Sequence, residues 1–183
     1  YWLDADAISF EKRLAIQGFS SDLSYRVYTS QLLGGESRLV LHGGGNTSVK
    51  TKTKDQFGEL VDILCVKGSG WDLADIEPAG LPAVLLDPLL KLRNLDVLSD
   101  EDMMNLHRQY LVDSRSPNPS VETLLHAFLP HKFVDHTHAD AILSITNQPN
   151  GEELAQEVWG SSMGMVPYIM PGFMLAKTAA DIY

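Results

Sequence analysis

The sequence is short of cysteine, short of positive charge and free of any long apolar run. Its 183 residues hold one cysteine, Cys65. A single thiol cannot close an internal disulfide or support a cysteine-based zinc cluster, so a reducing compartment is the simplest setting and a cytoplasmic location the expectation. Lys and Arg number 14 against 24 Asp and Glu, a net charge of −10. Such a balance argues against broad electrostatic binding to nucleic acid or an anionic membrane, yet leaves room for a local anion pocket. No stretch approaches the roughly 18 apolar residues of a transmembrane helix. The opening Tyr1-Trp2-Leu3-Asp4-Ala5-Asp6 has neither the basic nor the apolar region of a signal peptide, and no initiator methionine. The chain stops at Tyr183, just after a helical pattern, and so reads as a piece of something longer. With 44 % hydrophobic and 21 % charged residues it falls near the globular average, which excludes disorder and fits one domain.

Apolar residues at helical spacing predict helices over about 4–18 and 22–33, the second ended by Gly34-Gly35. Residues 38–42 read as a short β-type run, broken by Gly43-Gly44-Gly45. Residues 47–53 alternate, and 60–67 are apolar and rich in β-branched side chains; both predict strands. Helices are expected over 81–95 and 100–112, the latter with acids in its first turn. Ser120 reads as an N-cap opening a helix to 129. Residues 133–138 and 166–170 read as strands, 152–159 and 173–183 as helices, and 139–146 stays ambiguous. Met103, Met104 and Leu106 read as helix core, His107 and His131 as surface. Helices interleaved with strands along the whole length predict a layered α/β fold.

Four segments carry chemistry. In Asp135-His136-Thr137-His138-Ala139-Asp140, strand alternation would put His136 and His138 on one face, where two neutral imidazoles suit Zn²⁺ or another divalent metal. A catalytic site needs a third ligand; His42, His107, His126 and His131 are available, and spacing fixes none of them. In Pro119-Ser120-Val121-Glu122, Glu122 is either an ordinary acid near a helix start or a carboxylate aimed at the histidine pair as general base. His42-Gly43-Gly44-Gly45-Asn46-Thr47-Ser48 lets backbone amides approach an anion closely. It lacks both the Lys-Ser/Thr of a Walker loop and the spacing of a dinucleotide fingerprint. Lys67-Gly68-Ser69-Gly70 repeats the theme of a strand running into a Gly/Ser loop, with a lysine able to hold a phosphate or a sugar hydroxyl.

In this order the four segments resemble the class II aldolase/adducin family. The longer strings 39–50, 66–73, 117–126 and 132–140 are similar to the aldolase half of bifunctional aldolase/short-chain dehydrogenases, relatives of rhamnulose-1-phosphate aldolase. The likeness runs from about Tyr25 to Asp181. It implies a three-layer α/β/α sandwich around a largely antiparallel (mixed) sheet, assembled as a homotetramer with active sites at subunit interfaces. It implies a divalent metal, typically zinc, on His136, His138 and a third, later histidine. Glu122 would be the catalytic acid/base, and Gly45, Asn46, Gly68, Ser69, Gly70 and Ser120 the substrate or phosphate contacts. The implied reaction is reversible retro-aldol cleavage of a ketose or its phosphate through a metal-stabilised enediolate.

Two positions depart from the family pattern. No histidine follows His138, so the third ligand is expected beyond Tyr183, and residues 1–183 read as an aldolase domain incomplete at its C-terminus. Val121 stands where small sugar-phosphate aldolases carry a second hydroxyl before the glutamate, which weakens the case for a phosphate. Chemically related alternatives are a sugar-phosphate 4-epimerase or a dehydratase. A different class is an adducin-like module without catalysis. No dinucleotide site is expected within these residues, although a dehydrogenase domain could be fused to them.

Overall fold

A computed structural model describes residues 1–183, and alternation along one strand sets its layering. Strand β2 (Leu60–Val66) turns Ile63 and Cys65 to one face and Leu64 and Val66 to the other. The two pairs belong to separate apolar clusters, so both faces of the strand are covered. That double burial is why its sequence reads as an unbroken apolar run. Strand β1 (Asn46–Lys54) flanks β2 on one side and β3 (Ala83–Leu85) on the other. Strand β4 (Phe133–His136) pairs with the far side of β1, giving an all-antiparallel order β3-β2-β1-β4.

On one face, helices α1 (Asp4–Ala15) and α2 (Ser21–Gly34) bury Leu14, Leu23 and Val27 against Val49, Ile63 and Cys65. Ser20 caps α2 by accepting the Leu23 amide. The other face is covered by α3 (Leu86–Leu92), α4 (Asp100–Gln109) and α5 (Thr123–Phe128). Helices α6 (Asp140–Thr146) and α7 (Gly151–Trp159) pack on each other beyond the sheet, and α8 (Phe173–Ile182) returns to pack on α5. Leu89, Met103, Leu124 and Phe173 are buried to 1 % exposure or less, each contributing roughly 1.5–3 kcal/mol by leaving water. The architecture is the expected three-layer α/β/α sandwich. No helix is long and apolar enough to cross a membrane.

Several local expectations give way to tertiary structure. Residues 81–95 do not form one helix; they split into β3 and α3. Pro88 gives the reason, since its ring would collide with the Val84 carbonyl in a continuous helix, so it is confined to the first turn. Residues 38–42 form no strand, because the Leu39 and Val40 amides fold back onto the Glu36 carbonyl. Residues 166–170 have no strand partner and carry Pro167, which lacks a ladder donor. Ser120 is not the N-cap of α5; Glu122 takes that position, two residues later. His107 is not a surface residue but wholly buried on α4.

Candidate active site

The site grows from the β1–β4 pairing. Asn46 lies directly opposite His136, and Thr47 opposite Asp135. Neighbours across an antiparallel pair share a face, so the Asn46 and His136 side chains stand together. Asp135 points the other way, where it pairs with the buried Arg26 at 2.6 Å. The ladder ends at His136, two residues short of expectation. The chain nevertheless stays tied, because the His138 amide donates to Leu39 O at 2.8 Å and the Asp140 amide to Arg38 O at 2.9 Å. That tether returns His138 to the face of His136. The Nε2 atoms of the two rings lie 3.1 Å apart.

Two glycine loops and the turn before α5 close round this pair. The Lys67 amide donates to Thr47 O, the Ser69 amide to Asn118 O and the Ser120 amide to Lys67 O, at 2.8–3.1 Å. Gly45 has φ +65°, and a Cβ there would meet His136 O at 2.7 Å and Val40 Cγ1 at 2.6 Å, so no side chain fits. Gly68 is held as closely, 2.9 Å from Pro117 Cγ for the same imagined atom. The result is one cleft of about 810 Å³. All nine residues picked out from the sequence, Gly45, Asn46, Gly68, Ser69, Gly70, Ser120, Glu122, His136 and His138, line it. Lys67 is the sole lysine or arginine on its wall, with Nζ donating to Gly43 O at 2.9 Å.

Glu122 is the hub. Its Oε2 accepts from Asn46 Nδ2 at 2.5 Å and lies 2.9 Å from His136 Nδ1, in a contact bent away from a straight hydrogen bond. Burial pushes the carboxyl up, but His136 and the Asn46 amide outweigh it and hold the group below the usual carboxylate range. The Lys67 ammonium is lowered by burial, against the pull of Asp72 and Glu122. Ser120 Oγ accepts from the Glu122 amide at 3.2 Å and from Asn46 Nδ2 at 3.1 Å.

The histidine pair fits a divalent cation as far as two ligands go. Two nitrogens on a tetrahedral zinc, at about 2.0–2.1 Å each, sit about 3.3 Å apart, close to the spacing of the two Nε2 atoms. Glu122 on Nδ1 leaves the Nε2 of His136 free to ligate. No group of three His, Cys, Asp or Glu side chains in these residues is arranged to hold a metal ion. The other histidines lie elsewhere: His107 in the α4 core, His131 edge-on against Tyr183 and His42 on an exposed turn. His126 is also buried, and its ring is occupied on both sides by Ser48 and Asn46. The sequence reading missed Ser48, although strand alternation from Asn46 places it on the site's face.

Residues 26–182 match the class II aldolase and adducin N-terminal domain, and the chain belongs to that family. It is 44 % identical over 155 residues to a Bacillus subtilis (strain 168) protein named uncharacterized oxidoreductase YuxG. The match takes in 85 % of this chain but 22 % of that protein, so the chain spans about a fifth of the relative's length. The N-terminal class II aldolase domain of a conserved Thermoplasma acidophilum protein superposes with a TM-score of 0.85 at 44 % identity, over 90 % of this chain and 76 % of that one.

Proposed function

We propose that the domain is a class II, metal-dependent aldehyde-lyase that reversibly cleaves a ketose or its phosphate. The observation that carries this reading is the convergence of the His136 and His138 Nε2 atoms at 3.1 Å beside the ionised Glu122, in a cleft floored by two glycine loops. A divalent cation, zinc by the family resemblance, would be held by His136 and His138 and would supply Lewis-acid stabilisation of the charge that develops on cleavage. Glu122, kept as a carboxylate, takes up the proton of the hydroxyl that becomes the aldehyde as the C–C bond breaks and delivers it to the carbon that the bond leaves behind; condensation runs the transfer backwards. Asn46, Ser120 and the Gly68-Ser69-Gly70 loop orient the sugar. Lys67 spends one of its three N–H donors on Gly43 O, which leaves two for an anionic or hydroxyl group of the substrate.

A third protein ligand is proposed to come from outside residues 1–183, since no other donor joins the pair. The much longer relative with an oxidoreductase name supports a dehydrogenase domain fused to this one. A homotetramer is the expectation from the family resemblance, and a cytoplasmic location the expectation from the single cysteine. The lack of a third donor is also what an adducin-like binding module would show, so both readings face one experiment. Full-length protein is assayed for bound divalent metal and for retro-aldol cleavage of ketose 1-phosphates and free ketoses. Bound metal with turnover that His136→Ala abolishes is the expected result. No metal, and no effect of His136→Ala, would sink the enzyme reading.

A further inference from the structure

His126 has no exposed surface, yet both of its ring nitrogens are engaged. Nδ1 lies 2.8 Å from Ser48 Oγ, and Nε2 meets Asn46 Oδ1. The protons along this chain can be assigned from its far end. One end of the Asn46 amide faces two oxygens, Glu122 Oε2 and Ser120 Oγ, and the second of these already accepts the Glu122 amide. That end is the amide nitrogen, 2.5 Å from Glu122 Oε2 and 3.1 Å from Ser120 Oγ, with a hydrogen for each. The amide oxygen must then face His126, so Nε2 carries the ring proton and donates it. In a neutral ring Nδ1 is left as an acceptor, and the Ser48 hydroxyl supplies the hydrogen. Every donor points the same way, from Ser48 through His126 and Asn46 to Glu122.

We propose that Ser48 and His126 are positioning residues, a buried relay that locks the Asn46 amide in one orientation and thereby fixes the Glu122 carboxylate beside His136. The proposal rests on the reading of Glu122 as the proton-moving group. An Asn46 amide turned over would set its oxygen against the Glu122 oxygen, a repulsive contact that is worse away from water, and its NH₂ against Nε2, which could accept it only if the ring proton moved to Nδ1. The relay also removes His126 from the list of metal ligands, because neither nitrogen has a free lone pair.

Nitrogen-15 NMR of full-length, histidine-labelled protein reads the tautomer without substrate or metal. His126 should be protonated on Nε2, with a hydrogen-bonded Nδ1 whose signal moves in Ser48→Ala. A proton on Nδ1 instead would overturn the relay. In turnover, His126→Leu and Ser48→Ala should lower kcat by about 10- to 100-fold with KM little changed. His126→Gln, which keeps a donor for Asn46, should recover most of that loss. Equal losses in the Gln and Leu variants would reduce His126 to packing and overturn the proposal. If the unaltered protein cleaves no ketose, the functional reading fails, and the tautomer still decides the relay.

Discussion

His126 and His107 are both wholly buried, on helices α5 and α4 that cover the same face of the sheet. One is bonded at both ring nitrogens and the other at neither. His126 sits where α5 meets β1, beneath the cleft and behind Asn46, among groups that need a fixed direction. His107 sits on the helix that buries Met103 in the apolar cluster, with nothing polar in reach. Burial alone therefore says little about a histidine's role; its partners say more. A buried imidazole with two partners transmits orientation, and one with none is a standing cost to the fold.

The largest expected break comes at the end of the bonded chain. Glu122→Ala should retain metal and lose turnover by about 10²- to 10⁴-fold, the usual worth of a positioned acid/base. Steady-state kinetics with metal analysis checks this, and unchanged turnover would remove Glu122 from the mechanism. His136→Ala comes next in the same cleft: it should lose the bound cation while folding normally, as circular dichroism would show. Retention of full metal occupancy would rule out His136 as a ligand.

On the unbonded side the expected effect is on stability. Burial pushes His107 down to about 4, against roughly 6.5 in an unfolded chain. Above that unfolded value both states are neutral and no stability is at stake. As the pH falls from about 6.5 toward 4, the unfolded chain takes up a proton that the folded one refuses, so stability is lost across that window. At about 1.4 kcal/mol per unit the loss is on the order of 3 kcal/mol. His107→Leu should flatten this acid limb in urea titrations at neutral and acid pH. The flattening should be partial, because His126, held down to about 3, acts with the same sign. A variant as acid-sensitive as the parent would mean that His107 has a partner. The smallest effect belongs to α6, which buries no residue. Leu143→Asp should change stability by no more than about 0.5 kcal/mol, and a larger loss in the melting curve would show that the exposed Leu143 face is covered.

Much of the site was legible in the sequence because its residues arrive in short, rigid strings. Glycine loops and a His-x-His motif keep their local meaning wherever the chain goes. The third ligand had no such string. His126 stood as one available histidine among four, since nothing in its neighbours in sequence reveals Ser48 and Asn46 across the sheet. The expected helix over 81–95 failed for a similar reason. The apolar spacing there suits a helix, but β2 offers residues 83–85 a ladder and Pro88 forbids the continuous turn.

By itself the sequence determined the layered α/β class, the family and the identities of the residues that line the cleft. Those follow from periodicity, composition and motif, which depend on near neighbours. Tertiary structure alone decided that two loops and two strands, separated by up to 93 positions between Gly45 and His138, form one wall. It also decided the direction of the Asn46 amide and the fates of two buried histidines. Hydrogen-bond partners in a sheet are set by register and in a core by packing, and neither is encoded in the spacing of residues along the chain.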